Sequence, residues 1–172
     1  FDMLENYFVT QGREWERYAW IKARVMLGER WSELYGIARP FVFRKYLDFG
    51  AINAMRDLHV QIRREVARRD RAHNVKLGPG GIREIEFIAQ VFQLIRGGRD
   101  TALQIRPTLH VLALLAERQI ITAEAEAELR TAYVFLRRLE HRLQYVDDAQ
   151  THLLPTTDSA REVIAQSMDF PD

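Results

Sequence analysis

Cysteine is absent from the 172 residues, which excludes disulfides and thiolate metal sites and fits a reducing compartment. Long apolar runs are absent too. The longest, Val111 to Ala116, is far short of the ~20 residues a membrane-crossing helix needs. Proline is sparse at five residues, and no stretch alternates polar and apolar side chains long enough to require a strand. No Gly-x-Ser-x-Gly elbow or Cys–His pair supports nucleophilic hydrolysis. The five histidines, His59, His73, His110, His141 and His152, show no metal-ligand spacing. Two-metal nucleotidyl transfer would call for carboxylates at i,i+2 on a strand, and none stands so. Glu84 and Glu86 have that spacing on a helix, where ~3.6 residues per turn set them about 200° apart. No signal peptide opens the chain. It begins Phe1-Asp2 without an initiator Met, so it reads as a piece of something longer.

What is present is helical periodicity. The spacing predicts a helix from Phe1 to Gln11 with Leu4, Phe8 and Tyr7 inward, ended by Gly12, and a second from Arg13 to Leu27 burying Trp15, Tyr18 or Ala19, Ile21 or the stem of Lys22, and Val25, closed by Gly28. Ser32 reads as the N-cap of a third that stops towards Arg39, because Pro40 forbids an ordinary helical interior; a short helix Phe41 to Tyr46 follows. Met55, Leu58, Ile62 and Val66 trace one face of a helix between Gly50 and Arg69. Val75-Lys76-Leu77-Gly78-Pro79-Gly80-Gly81 reads as a short extended piece and a tight turn. The helix after it turns Ile82, Ile85, Ile88, Phe92 and Ile95 inward and stops at Gly97-Gly98. Pro107 opens a helix to Gln119. The strongest pattern, Leu129, Ala132, Leu136, Leu139, Leu143 and Val146, marks the seam of a long helix capped by Thr122 and running to Asp147. Ser159 and Glu162 form a capping-box pattern for a last short helix. The expected class is all-α, an elongated multi-helix bundle.

Charge is uneven although the net is only +1. Residues 1–76 hold 15 Lys/Arg against 10 Asp/Glu, and residues 77–172 hold 10 against 14. The basic excess peaks at Arg63, Arg64, Arg68, Arg69 and Arg71, but Asp57, Glu65 and Asp70 are interleaved. That reads as a solvated helix face rather than a nucleic-acid surface.

Two stretches carry chemistry on pattern. Lys76-x-Gly78-x-Gly80-Gly81 runs into a helix, whose unpaired N–H groups and positive dipole end suit an anion, with Lys76 and Arg83 adding charge. It is not a Walker loop, and the alternative is a sharp bend that lets the helix double back. In the Arg13–Arg24 stretch, Lys22 and Arg24 are placed to reach a phosphate, with Glu16 able to pair one of them; a surface helix of i,i+4 ion pairs is the other reading. Glu86, Gln90 and Gln93 form a polar stripe, facing either solvent or an interhelical hydrogen-bond network.

These words then resolve into a family resemblance. Val75-Lys76-Leu77-Gly78-Pro79-Gly80-Gly81-Ile82-Arg83-Glu84-Ile85-Glu86-Phe87-Ile88-Ala89-Gln90 resembles the signature segment of bacterial glutamine synthetase adenylyltransferases. So do Gln11-Gly12-Arg13-Glu14-Trp15-Glu16-Arg17-Tyr18-Ala19 running on to Lys22-Ala23-Arg24, Arg39-Pro40-Phe41-Val42-Phe43-Arg44, Phe92 to Arg99, and Phe135 to Gln144. The resemblance implies a two-headed cytoplasmic nucleotidyltransferase using Mg²⁺ and ATP or ADP. One unit attaches AMP to a tyrosine of glutamine synthetase, and the other removes it by phosphorolysis. The wording here is similar to the AMP-removing half. The family's metal-binding aspartates lie on a preceding sheet in a Gly-Ser-x-x-Asp-x-Asp pattern, which this chain lacks.

The resemblance therefore implies a helical part that follows the catalytic sheet. It holds no catalytic or metal residue of its own, is inactive alone, and contributes nucleotide or phosphate contacts through Lys22, Arg24, Lys76, Gly80, Gly81, Arg83 and Glu84. Residues 1–74 would adjoin the nucleotidyltransferase core. Residues 75–172 would form a glycine turn and long-helix bundle like that of PII uridylyltransferases, the two parts making one continuous unit. Expected partners are glutamine synthetase, the PII signal protein, nucleotide and phosphate, with no nucleic acid and no membrane. The alternatives are the helical portion of a PII uridylyltransferase, or a non-catalytic docking module for glutamine synthetase or PII.

Overall fold

The computed structural model describes residues 1–45 and 73–170, with Asn53, Asp57 and Val60 between them. Seven α-helices are described: α1 (Asp2–Thr10), α2 (Glu14–Lys22), α3 (Trp31–Val42), α4 (Ile82–Arg96), α5 (Thr108–Glu117), α6 (Ala123–Tyr145) and α7 (Asp158–Ser167). Short 3-10 turns lie at Thr101–Leu103 and Val146–Asp148. Among the described residues there is no sheet, only an isolated antiparallel bridge between Asn74 and Leu153. The all-α class is thus observed. Asn53, Asp57 and Val60 are helical, whereas the expected face Met55, Leu58, Ile62 and Val66 lies outside the described residues, as do Tyr46 and the arginine run 63–71.

The chain divides into two compact units: Phe1–His59 with Ile88–Ile120, and Val60–Phe87 with Ile121–Asp172. One of the breaks between them falls within α4, after Phe87.

In the first unit, Phe8 of α1 stacks on Phe41 of α3 with ring centroids 4.2 Å apart and meets Trp20 of α2 edge-on. Tyr18, Ile21, Ala38, Val42, Ala89, Leu94, Leu103, Val111, Leu112 and Leu115 are also buried in this unit. Three sequence expectations change here. Trp15 is 55% exposed, and Arg17, with no exposed surface, joins Tyr18 and Ile21 as the buried residues of α2. The reason is a full set of acceptors: Arg17 Nε and Nη2 donate to the Val42 carbonyl at 3.0 and 2.7 Å, and Nη1 pairs with Glu14 at 2.6 Å. Second, α2 ends at Lys22 rather than Leu27, because Ala23 turns extended and Lys22 Nζ reaches across to the Arg106 carbonyl and Thr108 Oγ1. Third, Pro40 sits inside one continuous helix, whose N-cap is Arg30 rather than Ser32. It falls in the last turn, where the carbonyl it fails to pair is that of Gly36, whose surroundings are open.

In the second unit, Val75, Leu139, Leu143, Ile164 and Met168 form the core, with Leu136 and Leu154 against it. The long helix lies where the seam predicts, and Thr122 caps it by accepting the Ala125 N–H at 3.2 Å. Of the seam, Leu139 and Leu143 are buried and Leu129 and Leu136 half-buried, while Ala132 and Val146 are exposed. The last helix starts at Asp158 with Thr157 as N-cap, so Ser159 is inside the first turn and caps nothing. No described helix is long and apolar enough to cross a membrane.

Candidate functional site

The first unit carries an open groove of about 530 Å³ in the loop between α2 and α3. The early end of α2 makes it. Residues 23–28 leave the helix and form one wall through Arg24, Val25, Met26, Leu27 and Gly28, while Trp31 and Tyr35 of α3 and Arg106 supply the rest. Gly28, at φ +121°, takes a backbone conformation that L side chains rarely adopt. Tyr35 and Arg106 also line an adjoining depression of about 370 Å³ that reaches Trp20 and Ala38. Arg24 and Arg106 are exposed, and neither guanidinium has a hydrogen-bond or ion-pair partner among the described residues. Lys22 differs. Its ammonium is committed to the Arg106 carbonyl at 2.5 Å and Thr108 Oγ1 at 2.9 Å, so it fixes the backbone from which Arg106 projects. Glu16 holds Tyr7 Oη and the Arg13 N–H, both at 2.7 Å, which raises the Tyr7 phenol above its ordinary range through that hydrogen bond.

The second unit carries the glycine turn, and its N–H groups are already used. Asn74 Oδ1 accepts from Lys76 and Leu77, and the Asn74 carbonyl accepts from Gly78. Gly81 donates to Gly78, Ile82 to Val75 and Arg83 to Lys76, at 3.0 to 3.1 Å. The Gly80 N–H meets the Glu84 carboxylate at 3.0 Å. An anion thus sits at this helix start already, supplied by the chain itself, which satisfies the positive dipole end. The expected cradle of open N–H groups is not what the turn presents. Its glycines are needed for another reason. A Cβ on Gly81 would meet the carbonyl oxygens of Val75, Lys76 and Gly78 at 2.9 Å each, and Gly80 has φ +70°.

The turn is tied to the C-terminal stretch: Val75 donates to the His152 carbonyl and Leu154 to that of His73. Below it lies a carboxylate that motif reading passed over. Glu140 is 2% exposed and faces Arg137, Lys76 Nζ at 3.4 Å and His152 Nδ1 at 3.2 Å. The signal was available, since Glu140 stands four residues after Leu136 and three before Leu143, on the apolar face. Nearby, Glu86 accepts from Tyr133 Oη at 2.9 Å. Within the first unit, fully buried Gln93 donates to the Leu103 and Ile105 carbonyls at 2.6 Å each. For these two members of the polar stripe, the network reading is the one observed.

The candidate residues therefore fall in two places. Lys22 and Arg24 belong to the first unit, and Lys76, Gly80, Gly81, Arg83 and Glu84 to the second. Arg83 projects exposed from the first turn of α4. Arg106, Trp31 and Tyr35 are the groove residues that sequence spacing did not single out. Among the described residues no three His, Asp or Glu side chains converge as a metal donor set.

A helical assembly with a glycine-turn entry to α4 and a long α6 is the class that these units define. The family model for GlnD PII-uridylyltransferase matches residues 56–172, and the chain belongs to that family. Over its whole length it is 75% identical to the bifunctional glutamine synthetase adenylyltransferase/adenylyl-removing enzyme of Aromatoleum aromaticum. It is 61% identical over its whole length to that of Chromobacterium violaceum, and 62% identical over 99% of its length to that of Nitrosomonas eutropha. It spans only 18–19% of the length of these relatives.

Proposed function

We propose that this chain is a helical part of a bifunctional enzyme that attaches AMP to glutamine synthetase and removes it. The reading rests on one observation: 75% identity along the entire chain to an enzyme carrying both activities in its name. Transfer of an adenylyl group to or from phosphate needs cations where charge develops. Arg83 beside the glycine turn and Arg24 in the first unit are the exposed side chains offered for that, joined by Lys76, which also faces Glu140 at 3.4 Å. Lys22, Gly80, Gly81 and Glu84 act through geometry. Lys22 holds the Arg106 backbone, and the glycines with Glu84 set the bend from which Lys76 and Arg83 project. Mg²⁺ and ATP or ADP are assigned to the whole enzyme, with the metal held by residues other than these, in the cytoplasm.

The test is phosphate-dependent release of ADP from adenylylated glutamine synthetase by the whole enzyme. Lys76→Ala and Arg83→Ala should each slow it about tenfold or more, the loss of one charge-assisted contact. The 172-residue chain alone should release none. Release by the short chain, or whole-enzyme kinetics blind to both substitutions, would overturn the assignment.

The family match at 56–172 favours one second reading, a uridylyltransferase acting on PII. Incorporation of UMP from UTP into PII, without AMP transfer to glutamine synthetase, would select it.

A further inference from the structure

We propose that the groove between α2 and α3 is a nucleotide-binding site, taking the phosphates of a nucleoside di- or triphosphate on Arg24 and Arg106 and its base on Trp31 and Tyr35. The proposal rests on the adenylyl-transfer reading for the choice of nucleotide, and on the groove itself for the rest.

Four features carry it. The volume, about 530 Å³, lies within the ~300–1,000 Å³ of ordinary small-molecule sites. Two guanidinium groups line it without a described acceptor, and arginine is the side chain whose planar fork matches a phosphate. Two aromatic residues one helical turn apart, Trp31 and Tyr35, line the same space, with ring centroids 6.1 Å apart. Trp31 is 55% exposed, an apolar cost that a stacked base would remove. Finally, the site is built rather than incidental. Lys22 spends its ammonium on the Arg106 carbonyl and on Thr108, which pins the 105–108 segment against the end of α2 and holds Arg106 at the groove.

The geometry also separates roles that the spacing of Lys22 and Arg24 left together. Arg24 is offered to ligand, and Lys22 is a positioning residue for Arg106. Adenosine alone should bind weakly, for want of phosphates, and inorganic phosphate weakly, for want of a base.

The experiment is a titration of the whole enzyme with ADP, adenosine and inorganic phosphate in separate arms, followed by tryptophan emission. Trp31→Phe identifies the Trp31 signal, and no glutamine synthetase is present. Arg24→Ala and Arg106→Ala should each weaken ADP binding about tenfold or more, while Arg138→Ala, on the exposed face of α6, leaves it unchanged. Both groove arginines are exposed, so folding should survive, and circular dichroism checks it. ADP affinity unchanged in both arginine variants, no Trp31 response, or phosphate alone matching ADP would each overturn the site. An enzyme that releases ADP from adenylylated glutamine synthetase yet shows one of these results keeps its function and loses the groove. One whose groove binds ADP but which never acts on glutamine synthetase does the reverse.

Discussion

Arg17 gives two of its N–H groups to a single acceptor, the carbonyl of Val42, from a position with no exposed surface. Burial lowers its pKa, and Glu14 works against that shift by attraction and hydrogen bonding. The contact closes the C-terminal end of α3 with a cation, where the helix dipole favours one. Arg17→Ala should therefore destabilise by about 3–5 kcal/mol, the range for breaking a buried, hydrogen-bonded charge pair. Arg17→Lys should recover only part, because an ammonium has no planar fork. Urea unfolding of the two variants checks the order; equal stability of Arg17→Ala and the parent would refute it.

The two adjacent glycines of the turn should respond differently. Gly81→Ala drives a methyl into three carbonyl oxygens that are backbone and cannot swing away. Gly80→Ala meets nothing within 4 Å and suffers only from its positive φ, a cost of about 1 kcal/mol. Thermal melts should rank Gly81→Ala well below Gly80→Ala. The opposite ranking would mean that the turn does not close on itself as described.

Tyr18 makes a prediction about alkaline pH. Burial raises its phenol pKa far above the ordinary value near 10. The unfolded chain then loses this proton before the folded one does, so above pH ~10 the unfolded state binds fewer protons and stability falls as pH rises. The contribution is fully present below pH ~10. Tyr18→Phe should flatten the decline in urea midpoint between pH 10 and 12. An unchanged slope would assign the decline to other groups.

Gln119 holds φ +55° just after α5, where Ile120 donates to Leu115 and Gln119 to Ala116, a complete Schellman ending. Glycine is the residue suited to that position. Gln119→Gly should raise stability by about 0.5–1 kcal/mol, read as a higher melting temperature. A lower one would show that the side chain contributes more than its backbone strain costs.

The helices were legible because period and punctuation agreed. Thr122, the seam through Leu139 and Leu143, and Gly97-Gly98 each fall where the pattern puts them. What was not legible depended on partners far along the chain. Arg17 is buried where a carbonyl 25 residues on accepts from it, and α2 stops where Lys22 reaches Arg106, 84 residues away. The glycine turn shows the same limit. Its sequence suits an anion, but nothing local says that Glu84 fills that place, or that a carbonyl waits for each of the Gly81, Ile82 and Arg83 N–H groups. The groove escaped motif reading because Arg24, Trp31 and Arg106 share no spacing. Only the close of α2 gathers them.

Neither compact unit is a continuous length of chain, and this dictates an order of assembly during synthesis. Everything that the first unit needs has been made once Ile120 is added. The second begins at Val60 but waits for residues 121–172. The Val75 N–H has its acceptor at His152, and Lys76 has its carboxylate at Glu140, so neither bond can exist while α4 is being made. A nascent chain therefore carries the bend at Gly80-Gly81 without these two supports until Glu140 and His152 have been made.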